Sequence, residues 1–498
     1  RIIILKFLYK NVILHIQERG NAMIRQLMKY FNIMSELIRD VLNYGVFSDR
    51  DFRSMLGDPN NPILLELATE FPQLMDSNQK PHSVTLGTLN NDFFQKTSSF
   101  IASHNVYSKL LLLYYMDYSI EECYIRNLSY EDDVEHFEAL NGNVVTTQIV
   151  LAKRTRCCWE HSSHDGDLNG ILYNFYFIDI CKLPNTRIIQ HSVDYNLTAP
   201  KSCSVYKFAL SPITKQKSLC LSQAYQKVNP NTGALQYLFR VEGLLNEKDI
   251  KQQVLNNILN AGRAGTDVLV FPEMLGSAGM LQEILVELKS LNQIIPTLIV
   301  FPSIWEKSSD NEINVNKSCM VFNGSDILFE QKKYCNFNYS ENGHLVYEDI
   351  NGFKNEQTVL HLLHIKGLGR ICIIICYDYL ETQNRDRIIK NLRPTLICSP
   401  SFSTGSFNFR ILSEAYLDQS CNWIWCNTCS AVNHTDKINN FEISGIITTL
   451  SKQCDFSKSD GLHKVFDGVK NCAKENCDNC IYYAEISSDY PKNIVKGR

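Results

Sequence analysis

The chain has 498 residues, of which 44% are hydrophobic and 20% are charged, and its formal net charge is −4. This composition is typical of a folded globular protein, and the length allows two or three domains. The small negative charge gives no electrostatic reason to expect nucleic acid or an anionic membrane as a partner. The sequence has no run of the ~18 apolar residues that a membrane-spanning helix needs.

Residues 1–140 are predicted to form a mostly helical region of unknown function. The chain starts with Arg1 rather than Met, which predicts a fragment or a processed product, and we interpret 1–16 as a packed helix rather than a signal peptide. Apolar side chains recur at helical spacing over 24–41, either as core or as a face for a partner helix. Two more helices are predicted over 63–75 and 100–116.

At the end of the second of these helices lies Tyr115-Met116-Asp117-Tyr118, which is similar to the Tyr-x-Asp-Asp metal site of reverse transcriptases. The second carboxylate is missing, and two-metal chemistry needs it. We therefore interpret this segment as ordinary helix.

Residues 141–215 are predicted to be an α+β connecting region, with strands over 144–152 and 171–180. The loop between these strands, 157–167, contains cysteines, histidines and aspartates. A metal site is one interpretation, but the spacings match no standard zinc module. Pro200-Lys201-Ser202 suggests a boundary or linker.

A cysteine ends the most apolar strand of the chain. Residues 369–375 are rich in β-branched side chains, which predicts a buried strand, and Cys376 follows directly. In α/β sheets the chemistry lies at the carboxyl ends of such strands. Cys376 is therefore a candidate nucleophile, although a cysteine in such a place, taken alone, is more often a core residue.

Two further strands end in groups that suit a thiol nucleophile. The strand over 268–271 leads through Pro272 to Glu273, and the strand that begins near Gly324 ends in Lys332 and Lys333. A thiolate is a nucleophile, a carboxylate can take and return its proton, and an ammonium stabilises the oxyanion of a tetrahedral intermediate. The three strand ends together predict an acyl-transfer site.

These motifs, in this order, resemble the nitrilase superfamily of carbon–nitrogen hydrolases. The family carries a Glu after a Phe-Pro strand end, then a Lys, and then a Cys in Ile-Cys-Tyr-Asp, at spacings like those of Glu273, Lys333 and Cys376. It often has a second Glu about eight residues after the Lys, where this chain has Glu341. Leu219 to Ala224 resembles the family's first strand, and 229–245, which the family usually lacks, is expected to form a hairpin.

The resemblance covers 216–490 and implies an α/β fold, a four-layer αββα sandwich, behind the mostly helical α+β N-terminal region. It implies hydrolysis of a small-molecule amide or nitrile through a thioester on Cys376, without a metal or organic cofactor. Glu273 would be the general base, Lys333 and the Tyr377 amide would hold the oxyanion, and Glu341 would orient them or contact substrate. Nitrilase domains commonly pair through their helical faces, so we expect a homo-oligomer.

Some residues depart from the family pattern. The family usually has an aromatic-Pro-Glu sequence after Cys-Tyr-Asp, where this chain has Tyr379-Leu380-Glu381, and a later helix lacks the usual Arg. Lys332 is the rival of Lys333, and a degenerate domain that serves ligand binding or oligomeric assembly is the alternative function. A nitrilase domain behind a long N-terminal part also resembles bacterial phage-defence proteins in which a reverse transcriptase precedes the nitrilase.

The chain has 18 cysteines. Several lie in apolar runs, which favours reduced thiols in a cytoplasmic protein over a disulfide framework. In the tail, Cys472, Cys477 and Cys480 could bind zinc with Cys454 or His463 as a fourth ligand, or they could be free thiols.

Overall fold

The computed structural model divides into two compact units, Arg1–Arg154 with Ser162–Lys182, and Thr155–His161 with Leu183–Arg498. The residues that it describes are 26–44 without 28, 47–84, 88–120, 149–155, 157, 159, 167–183, 185–193, 205–213, 219–291 without 223 and 230, 293–307, 313–350, 357–450 without 366, 404, 429, 433–437 and 441–442, 463–465, 480–487 and 491–496.

Several predictions lie outside these residues. They concern the helix over 1–16, most of the 157–167 loop, the linker at Pro200, and Cys454, Cys472 and Cys477 of the tail. Among the described residues, no group of three or more His, Cys, Asp or Glu side chains could hold a metal ion. In the same part of the chain, no helix combines the length and apolar character needed to cross a bilayer.

The first unit is mostly helical, as predicted. Its helices are α1 (29–44), α2 (Asp49–Gly57), α3 (Pro62–Glu70), α4 (Asn91–Ser103), α5 (Val106–Ser119) and α6 (Leu168–Ile171). Two antiparallel strands accompany them, β1 (Ile149–Lys153) and β2 (Phe175–Asp179). The apolar side chains of α1 are buried in the core of this unit rather than left as a face for a partner.

The helix predicted over 100–116 is two helices in the structure. The side chain of Asn105 accepts a hydrogen bond from the Ser108 N–H at 3.0 Å and so caps the start of α5, while α4 ends just before it at Ser103. Asn is a favoured residue at the N-cap of a helix because its side chain satisfies an otherwise unpaired N–H. The apolar residues keep their helical spacing from α4 into α5, so the periodicity alone did not reveal the break between the two helices.

Asp117, the carboxylate of the Tyr-Met-Asp-Tyr segment, is buried at the end of α5 and holds the start of β2. It accepts hydrogen bonds from the backbone N–H groups of Tyr173, Asn174 and Phe175. Burial raises its pKa to about 6, against the opposing effect of these donors. The segment is thus helical, as predicted, and the Asp117 carboxylate has a structural role, because it binds the backbone at the start of β2.

This raised pKa predicts a pH dependence. Because the folded state holds the Asp117 proton more tightly than the unfolded chain, the contribution of Asp117 to stability is fully present below the unfolded pKa of 3.8 and is lost as the pH rises through about 6. The expected loss is about 3 kcal/mol. Urea unfolding of wild type and Asp117→Asn between pH 4 and pH 7 measures it. An Asn variant with the wild-type slope would contradict the assignment.

The second unit is built on two large sheets. Its strands are β3 (Thr186–Val193), β4 (Val205–Leu210), β5 (Leu219–Leu221), β6 (Tyr225–Val228), β7 (Leu235–Phe239), β8 (Val241–Leu244), β9 (Val268–Val270), β10 (Leu298–Val300), β11 (Ile304–Lys307), β12 (Asn314–Phe322), β13 (Asp326–Lys332), β14 (Asn338–Glu341), β15 (His344–Glu348), β16 (Thr358–Ile365), β17 (Gly369–Ile373), β18 (Leu396–Pro400), β19 (Asn422–Cys426), β20 (Ser430–Val432), β21 (Ile438–Asn440), β22 (Gly445–Leu450), β23 (His463–Val465), β24 (Tyr482–Ser487) and β25 (Pro491–Lys496). Its helices are α7 (Glu247–Arg263), α8 (Ala278–Ser290), α9 (Tyr377–Leu380), α10 (Thr382–Leu392) and α11 (Phe407–Leu412).

The first sheet has the order β11-β12-β10-β9-β4-β24-β25, with β13 also paired to β12, and the second has the order β23-β22-β19-β18-β17-β16-β3. The central strands β4, β9 and β10 run parallel to one another, as do β17, β18 and β19. Such strands are buried on both faces, which explains their continuous apolar runs.

Helices cover the outer face of each sheet. Ile258 of α7 and Ile284 of α8 share one apolar cluster with Leu269 of the first sheet. On the second sheet, Tyr379 of α9 stacks on Trp423 with ring centroids 4.5 Å apart, and Phe409 of α11 stacks on Trp425 at 4.6 Å.

The inner faces of the two sheets meet directly. A Cβ on Gly445 of β22 would come within 2.6 Å of a Leu210 methyl group on β4. The predicted α/β class and four-layer αββα sandwich are therefore confirmed.

The strand predicted to begin the nitrilase-like region lies in neither of the two large sheets. Leu219–Leu221 forms only a small antiparallel ladder with β8, whereas β4 pairs in parallel with β9 in the first sheet. The run Phe208-Ala209-Leu210 is completely buried there, as an interior strand of a sandwich must be. The sandwich thus takes strands from before residue 216, the boundary predicted from the sequence.

The expected hairpin in the 229–245 stretch is present, and it begins earlier in the chain. Strands β6 and β7 pair antiparallel, and β7 also pairs in parallel with β15. The result is a small four-stranded sheet of order β14-β15-β7-β6.

The short segment Thr155–His161 belongs to the second unit although it precedes the sandwich in sequence. The side chain of Trp159 is buried, donates a hydrogen bond to the Thr395 carbonyl at 3.1 Å, and packs edge-on against Tyr206 and Phe208. Arg370 of β17 donates to the Thr155 carbonyl at 2.6 Å. Thr155 and Trp159 are therefore part of the core of this unit.

Candidate active site

The candidate nucleophile lies in a sharp turn between β17 and α9. Cys376 has φ 45° and ψ −106°, its N–H donates to the Pro400 carbonyl at 2.9 Å, and its own carbonyl accepts from Tyr379 N–H at 3.0 Å. A positive φ is uncommon for a residue other than glycine and is often found at functional sites. The strand itself ends at Ile373, two residues before the predicted end.

Lys333 and Glu273 meet in the interior of the unit. Both side chains are fully buried, and the Lys333 ammonium lies 2.8 Å from Glu273 Oε1. The neighbouring Lys332 is the last residue of β13 and is exposed. Because adjacent residues of an extended chain point to opposite sides, only one of the two lysines can reach Glu273, and it is Lys333.

Glu273 is held on both carboxylate oxygens. Its Oε1 also accepts from Asn316 Nδ2 at 2.8 Å, and its Oε2 accepts from the Phe402 N–H at 3.0 Å. The Cys376 thiol lies within hydrogen-bonding reach of Glu273 and of the same Phe402 N–H. A carboxylate, an ammonium and a thiol are thus in contact, as the order of the motifs predicts.

Glu341 is not part of this group. It ends β14, where it pairs with His344 across the turn Asn342-Gly343, at the far end of a hairpin. Asn342 and Gly343 both have positive φ, as a two-residue type I′ turn requires. The placement of Glu341 beside Lys333 was therefore wrong.

Glu348 occupies the place expected for Glu341. It is the last residue of β15 and is fully buried, and its Oε2 lies 2.6 Å from the Lys333 ammonium. The same oxygen accepts from the Phe337 N–H at 3.1 Å. The extra hairpin moves the second acid from eight to fifteen residues after Lys333. The Asn-Gly pair between alternating residues was the sequence signal that could have shown this.

Asn316 was also missed by the sequence analysis. Its amide nitrogen lies 2.8 Å from Glu273 and 3.3 Å from Glu348, so that it bridges the two acids. Its oxygen accepts from Ser303 Oγ at 2.7 Å, which fixes the orientation of the amide. A lone Asn in a strand carries no distinctive sequence signal.

The electrostatics of the site follow from its burial. Burial raises the pKa of the Cys376 thiol, Glu273 raises it further, and Lys333 opposes this. Burial by itself would lower the pKa of Lys333, but Glu273 and Glu348 raise it well above the ordinary value. The pKa of Glu348 is raised by burial and by Glu273, against Lys333. The resting site thus holds a charged ammonium beside a protonated thiol.

Asp378 binds the backbone that directly follows Lys333. It is buried two residues after Cys376 and accepts hydrogen bonds from the Tyr334 N–H at 3.0 Å and the Cys335 N–H at 2.6 Å. Burial raises its pKa to about 7. A cavity between β16, β17 and α10 reaches Asp378 and Arg387, but none of Cys376, Glu273 and Lys333 lines it.

A series of rings extends from the nucleophile. The ring of Tyr377 lies 6.1 Å from that of Phe337, which lies 6.4 Å from Tyr339, and Tyr339 lies 5.4 Å from Phe239. Tyr377, Phe337 and Tyr339 are partly exposed, whereas Phe239 is buried. A chain of aromatic contacts therefore runs from the residue after the nucleophile to β7.

A scan against protein-family models and a search of curated proteins both find no match. Among solved structures, an amidase from Nesterenkonia sp. matches 59% of this chain and 94% of its own, with 10% identity and a TM-score of 0.38. Saccharomyces cerevisiae Nit3, a member of branch 10 of the nitrilase superfamily, matches 57% of this chain and 90% of its own, with 14% identity and a TM-score of 0.35. The C. elegans NitFhit protein matches 57% of this chain and 61% of its own, with 16% identity and a TM-score of 0.36.

Proposed function

We propose that the second unit is a carbon–nitrogen hydrolase of the nitrilase type, which acts on a small-molecule amide or nitrile. The observation that carries the proposal is the buried ammonium of Lys333, paired with both Glu273 and Glu348 at 2.8 and 2.6 Å beside the thiol of Cys376. A buried cluster of this kind is costly to fold, and shifted pKa values in such clusters are typical of catalytic sites.

The proposed reaction begins with a proton transfer. Glu273 takes the proton of Cys376 while the sulfur attacks the substrate carbonyl carbon. The oxyanion that forms is stabilised by Lys333 and by the N–H of Tyr377, which follows the nucleophile. Glu273 then gives the proton to the nitrogen, the carbon–nitrogen bond breaks, and ammonia or an amine leaves a thioester on Cys376.

Water completes the cycle. Glu273 takes a proton from the water that attacks the thioester, the carbon–sulfur bond breaks, and the proton returns to the sulfur as the carboxylic acid leaves. Glu348 and Asn316 hold the ammonium and the base in place throughout. The raised pKa of the thiol supports this sequence, because a thiol that is protonated at rest needs an adjacent base.

A degenerate domain that binds a ligand or mediates assembly is the second candidate. The observation that favours it is burial, since Glu273, Lys333 and Glu348 are fully buried and Cys376 is almost so. In this alternative the cluster is structural, and its thiol is no more reactive than other buried cysteines.

Intact-protein mass spectrometry separates the two candidates. Wild type and Cys376→Ala are incubated with a panel of amides and nitriles and with acrylamide as a thiol-reactive amide. We expect wild type to gain a label, or a trapped acyl group, that the variant lacks, and peptide mapping to place it on Cys376. The exposed thiol of Cys181 and the buried thiol of Cys372 are internal references. Labelling of Cys376 no faster than that of Cys181 would favour the degenerate domain.

Other proposals concern the whole protein. A homo-oligomer, a cytoplasmic location and the absence of a cofactor stay predictions. So does the likeness in domain order to phage-defence proteins with a reverse transcriptase. The described cysteines Cys319, Cys372, Cys398 and Cys426 are buried free thiols, as expected.

A further inference from the structure

The strand that carries Glu348 is paired with a hairpin that the nitrilase pattern lacks. In the parallel pairing of β15 with β7, Val346 lies opposite Tyr237, Tyr347 opposite Leu238, and Glu348 opposite Phe239. The N–H of Asp349, the next residue, donates to the Phe239 carbonyl at 2.8 Å. The hairpin thus supports the backbone at the second acid of the candidate site.

Asp349 joins the other strand of the hairpin to the same point. Its buried carboxylate accepts a short hydrogen bond from the Tyr225 hydroxyl on β6 and another from Asn314 Nδ2 at 3.1 Å. The Lys227 ammonium lies 3.6 Å from it, but that side chain is about half exposed, so the pair contributes little. Tyr225 and Asn314 therefore provide the main support of this carboxylate.

Strand β12 connects this support to the candidate site. Asn314 and Asn316 stand two residues apart and so point to the same face of the strand. Asn314 binds Asp349, while Asn316 binds Glu348 and Glu273. Two consecutive acids are thus held by two alternate amides, and Tyr225 donates to the same Asp349 oxygen as Asn314.

We propose that Tyr225 is a positioning residue, which sets the place of Glu348 through its hydrogen bond to Asp349. The inference rests on the proposed hydrolase function. Without the hydroxyl, the Asp349 carboxylate keeps Asn314 but loses its hydrogen bond to β6, and Glu348, one peptide bond away, is held less firmly against Lys333. Displacements of about 1 Å in a catalytic group can cost up to about 100-fold in rate.

The test compares two hydroxyl deletions on the same hairpin. Tyr225→Phe removes the bond to Asp349, and Tyr237→Phe is the matched control, since that residue lies on β7 and stacks on His344 at 4.4 Å. Acrylamide labelling of Cys376 is followed by mass spectrometry over a range of acrylamide concentrations, which separates the maximal rate of labelling from the half-saturating concentration. Thermal midpoints are measured for each variant.

We expect Tyr225→Phe to lower the maximal rate about tenfold with the half-saturating concentration unchanged, and Tyr237→Phe to match wild type in both. Asp349→Leu, which removes the acceptor, should lower the maximal rate similarly, and its double variant with Tyr225→Phe should lose no more than either single variant, because the two residues act through one bond.

Three results would overturn the inference. A Tyr225→Phe variant as fast as wild type would leave the hydrolase standing without this positioning role. A loss confined to the thermal midpoint or to the half-saturating concentration would make the bond purely structural. A wild-type Cys376 no more reactive than Cys181 would remove the proposed function and this inference together.

Discussion

Replacing Glu273 by Gln is expected to slow the attack of the Cys376 thiol on acrylamide about 10³-fold, within the range of general-base contributions. The resting thiol is protonated, because burial and Glu273 itself raise its pKa, so the nucleophile has to be formed during the attack. Gln keeps the shape of the side chain but cannot take the proton. The measurement is the rate of labelling of Cys376 by acrylamide, with the trapped mass located by peptide mapping.

Two other substitutions make this test specific. Glu341→Gln is the matched control, because Glu341 lies at a hairpin end outside the buried cluster, and its rate should equal that of wild type. The labelling rate of Glu348→Gln should lie between those of Glu273→Gln and Glu341→Gln, since Glu348 orients Lys333 but takes no part in the proton transfer. A Glu273→Gln variant that labels like Glu341→Gln would show that the carboxylate does not serve as the base.

Replacing Trp159 by Ala is expected to destabilise the second unit by about 3–5 kcal/mol, the usual cost of removing a large buried aromatic side chain. Trp159 is almost completely buried. The variant lacks the contacts of this side chain with Tyr206 and Phe208 and its hydrogen bond to the Thr395 carbonyl. The measurement is urea unfolding of the full chain, with the transition of this unit followed by the fluorescence of the remaining tryptophans.

Phe407→Ala is the control for this second prediction. Phe407 is 72% exposed on α11, and its removal should change the stability by less than about 0.5 kcal/mol. Trp159→Phe should retain most of the packing and lose mainly the hydrogen bond. Equal midpoints for Trp159→Ala and Phe407→Ala would show that the 155–159 segment is not part of the core.

Strand ends were the part of the candidate site that sequence reasoning could find. Glu273 and Cys376 each follow an apolar run with a recognisable last residue, and the chemistry of α/β sheets lies at the carboxyl ends of such strands. Their strands, β9 and β17, belong to different sheets, so the packing of the two sheets brings the side chains together. The lysine was harder to assign from residues 329–333. Lys332 and Lys333 are adjacent, and the sequence does not show which of the two points into the site. Burial in the structure assigns Lys333 and leaves Lys332 exposed.

The second acid shows where spacing alone misleads. A distance of eight residues after the lysine holds only if the chain between them has a fixed length, and here a two-residue turn at Asn342-Gly343 adds a hairpin. The position of Glu348 then depends on the pairing of β15 with β7, strands more than a hundred residues apart in sequence. Pairing over such a distance leaves no local pattern.

The alternation of buried strands and amphipathic helices could be predicted from the amino-acid sequence, and with it the order in which a carboxylate, an ammonium and a thiol come to the strand ends. Local properties suffice for this, because periodicity and β-branched runs act over a few residues. The long-range contacts of the fold were needed to show that Glu348 and Asn316 complete the cluster, that β3 and β4 belong to the sandwich, and that Trp159 belongs to its core. These depend on contacts between distant segments, where burial and long-range pairing override local pattern.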